Sequence, residues 1–600
     1  MTNQAGRVAR ASGRGRIETL YIANRGEIAA RIARTCDDLG VRAVQGEGEF
    51  LSVEAQVAAA VAAGADAVHP GYGFLSENAG FARAVVDAGI AWVGPTPEVI
   101  DVMGRKDRAR DVAVAAGVPV VPSYDAAADP ASFDYPVLVK AAAGGGGKGM
   151  RVVRSAADYA EAAAAARREA ASAFGDDTLL VEKYVERGRH IEVQLVGDTH
   201  GTVLHLLTRE CSVQRRHQKV IEEAPAPGLD PHLRHRIHAA AVALGRQVGY
   251  TNAGTVEFLL DADTGEFYFL EMNTRLQVEH PVTEEVTGVD LVELQLRVAE
   301  GAPLPLAQEE VAPHSHAMEA RVYAEDPYAG FLPQAGRATV VQWSDRARVD
   351  HALRSGQVVS TSYDPMLGKV VVRGGDRETA RRRLVAALDD IAILGLTTNT
   401  GFLRALAASA EFAEPGGIDT AWLDRTELPA PDPTEAREVA ARLWLEANTA
   451  ADGPMAADGF RLGGPAAPVA VEFDDGVVQV SVTPGSLPPA RPAAIVTPHG
   501  VELAWRGQRF VFERPDAAAD HGAAVGDGTV VAPMPGTVLD VRVTEGAPVA
   551  AGDVLGVVEA MKMELALKAP YDGVVSAVTA TTGQQVALGA PLFVVEEVPS

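Results

Sequence analysis

Ala560-Met561-Lys562-Met563 lies between two copies of one sequence pattern near the end of the chain. The first copy begins at Ala532-Pro533-x-x-Gly536, and the same letters return 37 residues later at Ala569-Pro570-x-x-Gly573. Each copy is short and rich in valine, so each needs the other to bury its apolar side chains. The repeat predicts a small, two-fold pseudo-symmetric β-sandwich or flattened barrel, with Lys562 at the tip of the hairpin that joins the copies.

A surface lysine is usually a solvated charge, and the residues alone leave that interpretation open. Here two methionines flank the lysine and the surrounding sequence is duplicated, which a solvated charge does not explain. The stretch Glu559-Ala-Met-Lys-Met563 resembles the biotin-accepting motif of the biotinyl domains in biotin-dependent carboxylases. Lipoyl domains share that fold but usually carry Asp-Lys-Ala at the tip, which is absent here. The resemblance implies that a biotin protein ligase attaches biotin to Lys562.

The composition favours a large cytoplasmic protein. Its 600 residues suffice for several domains, and its two cysteines, Cys36 and Cys211, cannot form a disulfide framework. The formal net charge of −26 argues against non-specific binding to nucleic acid, and we expect no membrane span. Four arginines precede the first acidic residue, Glu18. They fit a disordered tail over residues 1–16, which we expect, or an organelle transit peptide.

The first predicted domain begins as a Rossmann-like unit. A buried strand over Thr19–Ala23 is followed by Asn24-Arg-Gly-Glu27 and a helix that ends near Leu39. The unit lacks Gly-x-Gly-x-x-Gly, so a dinucleotide site is only weakly indicated. Further βα units continue to about Gly117.

A glycine-rich turn follows a short apolar strand that ends at Lys140. Gly144-Gly-Gly-Gly-Lys148-Gly149 would let backbone N–H groups approach phosphate oxygens closely. It is not a Walker A loop, because Gly149 stands where Ser or Thr should bind magnesium and a strand follows instead of a helix. The turn alone could also be a flexible surface loop.

Two glutamates are predicted to face each other across a later hairpin. Strands over Val256–Leu260 and Glu266–Leu270 flank a turn centred on Thr264, which places Glu257 opposite Glu271. Like charges opposed on a hairpin are destabilising unless a cation lies between them. If the chain stays extended, one face continues with Asn273, Arg275, Gln277 and Glu279. A solvated hairpin face is the alternative.

Together these stretches resemble the biotin-carboxylase part of acyl-CoA carboxylase α subunits, which has an ATP-grasp fold. The resemblance rests on Ile22–Ile28, His69–Asn78, the glycine-rich turn, Gln214–Lys219, Glu222–Pro227 and Glu271–Pro281. It implies that ATP contacts Lys106, Lys140, Gly146, Gly147, Glu182, Val185, His190 and His217. It implies Mg²⁺ or Mn²⁺ on Glu257, Glu271 and Asn273, and bicarbonate on Lys219, Arg275, Gln277 and Val278. It also implies that Glu279 is the general base and that Arg321 steadies the biotin enolate.

The expected fold class is multidomain α/β and α+β, with a Rossmann-like N-domain, an ATP-grasp biotin carboxylase core, a β-rich docking domain and a flattened β-barrel biotinyl domain. The expected boundaries are 17–117 for the N-domain, 118–200 for the ATP-grasp lid, 201–425 for the C-domain, 434–515 for the docking domain, 516–528 for a linker and 529–597 for the carrier. Candidate anchors in the docking domain are Trp444, Phe460, Leu462 and Trp505.

The resemblance implies half of a reaction. The chain would carboxylate its own biotin, and a separate carboxyltransferase β subunit in a hetero-oligomer would transfer the carboxyl group to an acyl-CoA. Two alternatives stay open: a pyruvate- or urea-type carboxylase subunit, and a carrier or assembly subunit whose carboxylase half is inactive.

The sequence departs from the family in two places. After Val44, about two dozen residues that the family usually carries are missing, close to one βα unit. The pair Leu207-Thr208 stands where the family has Gly-Glu.

Overall fold

The computed structural model describes residues 15–141, 150–174, 178–215, 218–360, 364–449, 467–481, 492–515, 528–560 and 563–597. Within these ranges no helix is both long enough and apolar enough to cross a bilayer. Several predicted features lie outside the described residues: Gly146, Gly147, His217, Phe460, Leu462, Lys562, most of the N-terminal tail and nearly all of the predicted linker.

The N-domain is a parallel sheet with helices, as the sequence predicts. Its four strands have the order β2-β1-β3-β4. The strands are β1 (Thr19–Ile22), β2 (Arg42–Gln45), β3 (Ala67–His69) and β4 (Ala91–Trp92). The helices are α1 (Gly26–Leu39), α2 (Val53–Ala62), α3 (Ala79–Asp87), α4 (Pro97–Met103) and α5 (Lys106–Ala115). Helix α1 ends at Leu39 because Gly40 adopts a left-handed conformation with φ 68°.

The connection after Val44, which the resemblance predicts to be shortened, is closely packed. Gly46 follows the edge strand β2 and donates its N–H to Ile22 O at 2.8 Å. A Cβ at this position would lie 2.9 Å from Tyr21 Oη and 3.0 Å from Ile22 O, so any larger residue would displace its neighbours. Ser52 then caps α2 by accepting a hydrogen bond from Ala55 N at 3.2 Å. The N-domain therefore packs its four strands with the short connection in place.

A second, antiparallel sheet forms the lid, with order β5-β8-β6-β7. Its strands are β5 (Ser123–Tyr124), β6 (Val137–Ala141), β7 (Arg151–Val153) and β8 (Leu179–Lys183), and helix α6 (Ala156–Phe174) packs on it. The helix bounds agree with the predicted Ala156–Ala173.

The central element is an eight-stranded antiparallel sheet with order β13-β12-β9-β10-β11-β14-β21-β19. These strands are β9 (Gly188–Gly197), β10 (Val203–Arg215), β11 (Gln218–Ala224), β12 (Asn252–Asp261), β13 (Phe267–Asn273), β14 (His316–Tyr323), β19 (Arg348–His351) and β21 (Met366–Gly374). The expected boundary at residue 200 falls inside this sheet, between β9 and β10, because those two strands pair directly.

Helices and short strands complete this region. The helices are α7 (Pro231–Val248), α8 (His280–Thr287), α9 (Leu291–Ala299), α10 (Arg377–Asp389), α11 (Thr400–Ala408), α12 (Ala410–Ala413) and α13 (Trp422–Arg425). The short strands are β15 (Glu325–Asp326), β16 (Leu332–Pro333), β17 (Gly336–Arg337), β18 (Val340–Gln342), β20 (Val358–Val359) and β22 (Ala392–Leu394).

The predicted opposition of Glu257 and Glu271 is confirmed, but the hairpin reaches it through a bulge. Next to the turn, Leu259 pairs with Tyr268 and Phe258 with Phe269. Leu270 is then an extra residue in β13, and the pairing resumes with Glu257 opposite Glu271. Next to the turn the strands are out of the predicted register by one residue, and the bulge restores the register centred on Thr264.

The β-rich region follows. Helix α14 (Thr434–Asn448) packs on β23 (Val469–Phe473), β24 (Gly476–Val480), β25 (Ala494–Thr497), β26 (Gly500–Trp505) and β27 (Gln508–Glu513). Trp444 and Trp505, two of the candidate docking anchors, are half-buried against the core of this region. Both indole N–H groups have partners, Pro498 O at 3.3 Å and Glu435 Oε2 at 3.2 Å.

The C-terminal domain has the predicted internal symmetry. One sheet has the order β32-β31-β29-β34 and the other β28-β35-β33-β30. The strands are β28 (Thr529–Val531), β29 (Gly536–Val541), β30 (Pro548–Val549), β31 (Val554–Ala560), β32 (Met563–Lys568), β33 (Gly573–Val578), β34 (Gln585–Val586) and β35 (Pro591–Glu597). The equivalent glycines Gly546 and Gly583 share φ 85°. Strands β31 and β32 pair from Val554–Lys568 to Ala560–Met563.

Leu207 stands at one of the two departures from the pattern that the resemblance implies. It has φ 70°, in the left-handed region, at an irregularity between His205 and Thr208 in the pairing of β10 with β9. A left-handed conformation costs a non-glycine residue roughly 1–2 kcal/mol. Leu207 is nevertheless buried in an apolar cluster with Val282 and Val371, which offsets the strain. The site therefore suits the family's glycine in backbone geometry and leucine in packing.

The positive φ of Leu207 predicts that glycine is a less destabilising replacement than alanine at this position, the reverse of the usual order. Leu207→Ala and Leu207→Gly should both lower the denaturant midpoint, because both remove a buried side chain. Leu207→Gly should be the more stable by about 1 kcal/mol, since glycine adopts positive φ without strain. The matched control is Leu206, which is wholly buried with φ outside the left-handed region. There alanine should be the better replacement, and the same order at both positions would contradict the strain argument.

Candidate active site

Four charged residues stand directly opposite one another on four adjacent strands of the central sheet. Arg209 on β10 pairs with Glu192 on β9, Glu192 pairs with Glu257 on β12, and Glu257 pairs with Glu271 on β13. Glu192 and Arg209 are wholly buried. Because cross-strand neighbours lie about 5 Å apart, the sheet holds three carboxylates and one guanidinium in a single row.

Lys219 on β11 neutralises this row. Its Nζ lies 2.6 Å from Glu192 Oε2, 2.9 Å from Glu257 Oε1 and 2.5 Å from Glu279 Oε1. Burial alone would lower the pKa of Lys219, but the three carboxylates outweigh it and raise the pKa well above its usual range. The ammonium group is therefore a permanent cation shared by three acids.

Glu279 is held on both oxygens by cations. Lys219 contacts Oε1, and Arg321 on β14 donates to Oε2 at 2.8 Å. Burial alone would raise the pKa of Glu279, but Lys219 and Arg321 lower it below the usual range. Arg321 also lies 2.5 Å from Glu222 Oε1. Glu279 is thus an ionised carboxylate that can accept a proton from a group placed beside it.

The segment after β13 does not stay extended, which corrects the sequence prediction. β13 ends at Asn273, and Glu279 lies in a turn immediately before α8. The polar side chains converge all the same. Asn273 Nδ2 and Gln277 Nε2 donate to Glu257 Oε1 at 2.8 and 2.9 Å. Arg275 donates to Asn273 Oδ1 and to Glu77 Oε2, each at 3.0 Å.

The donor set around Glu257 fits a hard divalent cation. Glu257 and Glu271 offer carboxylate oxygens from facing positions, which are ligands that Mg²⁺ and Mn²⁺ prefer. Asn273 turns its amide nitrogen to Glu257 and its Oδ1 to Arg275, so its amide group would have to rotate to join them. Burial and the Glu257 carboxylate raise the pKa of Glu271. A cation between them would relieve that repulsion. His190 Nε2 lies 2.9 Å from Glu257 Oε2 and completes this side of the site.

The residues expected to contact ATP fall in several places. Lys140 and Glu182 form an ion pair of 2.6 Å in the lid sheet. Val185 follows β8 and is buried, and Lys106 begins α5 in the N-domain. His190 lies beside the carboxylate row.

Sequence reasoning did not assign roles to Glu192, Arg209 and Glu222. The alternation His190-x-Glu192-x-Gln194 puts three polar residues on one face of β9, and this signal could have found Glu192. The role of Arg209 could be recognised only from the pairing of the strands, which brings it against Glu192, Gln194 and Thr255 in the interior.

A buried lysine supports the turn that carries Glu279. Lys369 on β21 stands opposite Arg321, is wholly buried, and donates to Val278 O at 2.7 Å. Its Nζ lies 3.3 Å from Glu27 Oε1 in the N-domain. Two cations on neighbouring strands therefore hold the turn at residues 278–279, one through the backbone and one through the side chain of Glu279.

Family models match four parts of the chain. They are the biotin carboxylase N-terminal domain over residues 44–100, the ATP-binding domain of the carbamoyl-phosphate synthase L chain over 105–307, the biotin carboxylase C-terminal domain over 319–425 and the biotin-requiring enzyme domain over 528–595. The order of these matches agrees with the order of the observed sheets.

Curated relatives extend the match. The methylcrotonoyl-CoA carboxylase α subunit of Dictyostelium discoideum is 38% identical over 92% of both chains. The corresponding subunit of Arabidopsis thaliana is 45% identical over 68% of this chain, and the match spans 60% of the length of that relative. The chain thus spans about three fifths of the plant relative that it matches.

Solved structures agree. A biotin carboxylase–βγ-ATP complex from Campylobacter jejuni is 41% identical with a TM-score of 0.64, covering 68% of this chain and 99% of that one. The biotin carboxylase domain of the Hydrogenobacter thermophilus 2-oxoglutarate carboxylase, with MgADP and bicarbonate, is 38% identical with a TM-score of 0.62, covering 68% and 98%. The fold and the site define an ATP-grasp carboxylase with a fused carrier domain. The chain belongs to the biotin-dependent carboxylases, as the sequence resemblance implied.

The expected cytoplasmic location is wrong on this comparison. The relatives from Arabidopsis thaliana, Dictyostelium discoideum and Rattus norvegicus are all named as mitochondrial subunits. Composition and cysteine usage could not distinguish a cytoplasmic from a mitochondrial location.

The burial of Glu27 predicts a pH dependence of stability. Burial raises the pKa of Glu27 from 4.5 to about 7, although Lys369 opposes the rise. The native state therefore binds a proton that the unfolded state releases between these two values, and stability falls as pH rises through that window. Glu27→Gln should make this decline in unfolding free energy shallower by on the order of 3 kcal/mol.

The measurement is the denaturant midpoint from about pH 5 to pH 8, with exposed Glu18→Gln as the control. A slope in Glu27→Gln equal to that of the wild type would contradict a raised pKa at Glu27.

Proposed function

We propose that this chain carboxylates biotin with ATP and bicarbonate, as the α subunit of an acyl-CoA carboxylase. The observation that carries the proposal is the shared position of Lys219 between Glu257 and Glu279, with Arg321 on the other oxygen of Glu279. One cation thus connects the predicted metal side of the site with the predicted base. ATP supplies the activation of bicarbonate, and biotin, when bound, supplies the nitrogen that carries the carboxyl group.

In this proposal the cationic residues bind anions, and the carboxylates accept a proton or bind metal ions. Lys219 and Arg275, with Gln277 and the backbone at Val278, would bind the bicarbonate anion, since an ammonium and a guanidinium fork suit a planar oxyanion. Glu279 would take the proton of bicarbonate because it is held ionised beside Lys219. Arg321 would stabilise negative charge on the biotin oxygen. Glu257, Glu271 and Asn273 would hold the metal ions.

The nucleotide would lie between the lid and the central sheet. Its proposed contacts are Lys106, Lys140, Gly146, Gly147, Glu182, Val185, His190 and His217. Lys140 and Glu182 form an ion pair on the lid. When the nucleotide binds, Lys140 would leave Glu182 to contact a phosphate, and Glu182 would contact the ribose or the base.

The second half of the reaction would belong to a partner. The Dictyostelium discoideum relative, a subunit by name, aligns along nearly the whole of both chains, so the domain order here is that of an α subunit. The partner would be a carboxyltransferase β subunit acting on an acyl-CoA, and the region 434–515 would carry the contact in a hetero-oligomer. This alignment favours the acyl-CoA type over the pyruvate and urea types.

Replacing Lys219 tests the carboxylase activity. In Lys219→Ala, the KM for bicarbonate in biotin-dependent ATP cleavage should rise about 10- to 100-fold, the cost of losing a charged hydrogen bond. The KM for ATP should change much less. Lys568→Ala in the carrier, an exposed lysine, is the control. A rise in the KM for ATP alone would place Lys219 on the nucleotide. A wild-type chain without bicarbonate-dependent ATP cleavage would overturn the proposed function.

Replacing Lys562 separates the two halves of the reaction. After co-expression with a biotin protein ligase, the intact mass should show one biotin, and Lys562→Arg should show none. With the β subunit present, that variant should lose acyl-CoA carboxylation but keep ATP cleavage supported by free biotin. Retention of biotin in Lys562→Arg would exclude Lys562 as the attachment site. Carboxylation of an acyl-CoA by the α chain alone would exclude the split reaction.

A further inference from the structure

A buried asparagine holds the backbone of the strand that carries Arg321. Asn399 is wholly buried, and its Nδ2 donates to Arg321 O at 3.1 Å. Its Oδ1 accepts from Tyr323 N at 2.8 Å, and its own N–H donates to Tyr323 O at 3.1 Å. One side chain and one backbone group thus replace the hydrogen bonds of a neighbouring strand.

This replacement occurs where the sheet is otherwise incomplete. The pairing of β14 with β11 ends at Ala320, one residue before Arg321. On the other edge, the pairing with β21 shifts register between Val322 and Tyr323. Buried backbone groups must find partners, so Asn399 determines the path of β14 at this point. A change in that path would move the Arg321 guanidinium relative to Glu279.

The segment that contains Asn399 is contacted by the β-rich region. Glu502 on β26 accepts a hydrogen bond from Gly395 N at 2.5 Å. Arg509 on β27 donates to Glu502 Oε1 at 2.6 Å and to Thr397 Oγ1 at 3.3 Å. The pair Glu502–Arg509 therefore fixes two points of the segment just before Asn399.

The packing at this junction is close. A Cβ at Gly401 would lie 2.9 Å from Gln508 Cβ, and one at Gly507 would meet the carbonyl oxygen of Leu388. Ala504 packs against Leu394 beside the ion pair. Glycine and alanine at these positions let β26 and β27 approach the carboxylase region within van der Waals distance. A rigid contact of this kind transmits a displacement instead of absorbing it.

We propose that Asn399 is a positioning residue for Arg321, and that the Glu502–Arg509 pair of the β-rich region holds Asn399 in place. The β-rich region then has a second role beside any docking of a partner, because it supports the geometry of the carboxylation site. This inference rests on the proposed function, in which Arg321 acts on biotin. The effect should fall on the biotin step, since the hydrogen bonds of Asn399 reach β14 and Glu325 and not the carboxylate row.

The test compares steady-state kinetics of ATP cleavage with free biotin in the full-length chain. Asn399→Ala should lower kcat/KM for biotin by about 10- to 100-fold, as expected for a misplaced catalytic group, with the KM for ATP within about twofold of wild type. Arg509→Ala should change the same parameter in the same direction by about 3- to 10-fold. Arg509→Lys keeps a donor and a cation, and should restore most of the loss.

Arg514→Ala is the matched control, since Arg514 lies on the same region but packs on the Trp444 ring at 3.9 Å. It should leave the biotin parameters unchanged. Arg509→Ala decides the matter if Asn399→Ala does not fold. Wild-type biotin kinetics in a folded Arg509→Ala variant would overturn the inference, as would equal losses for biotin and ATP. An inactive wild-type chain would instead count against the proposed function.

Discussion

The ammonium group of Lys219 is the interaction on which the rest of the site depends. Glu192, Glu257 and Glu279 bring three carboxylates to one point in the interior, and each would repel the others without a cation between them. Removing one partner from a buried ionic cluster costs far more than a surface pair, because the remaining charge stays desolvated. Lys219 therefore makes it possible for the ionised Glu279 and Glu257 carboxylates to lie side by side, as the proposed base and metal ligand would have to.

The central sheet explains how this arrangement stays fixed. Functional groups on strands are held more precisely than groups on loops, and here the row from Arg209 to Glu271 crosses four strands in register. A slip of one residue would turn every carboxylate to the opposite face. The bulge at Leu270 is part of this precision, since it brings Glu271 opposite Glu257 although the turn itself would not.

The sequence predicted the parts of the site that depend on local pattern. The facing glutamates were predicted from the spacing about Thr264, although the register depends on the bulge at Leu270, which that spacing did not reveal. The carrier symmetry follows from the repeat. The turn at Glu279 was missed because alternation continues in the letters after the backbone leaves β13. Arg209 and Lys369 were missed for a different reason: their partners lie far away in the chain, and only the pairing of strands brings them together.

The contacts of the two C-terminal units suggest different mechanical roles. The β-rich region is joined to the carboxylase region by a hydrogen bond from Gly395 N to Glu502, a hydrogen bond from Arg509 to Thr397 Oγ1 and close glycine packing. Among the described residues, the core of the carrier is built from its own two sheets, and Leu332 of the carboxylase region packs against it. A unit with a self-contained core can separate at low cost, whereas separating the junction at Glu502 would break hydrogen bonds between half-buried groups and open close packing. On the proposed function, the carrier is therefore the part suited to move, and the β-rich region is the part suited to stay.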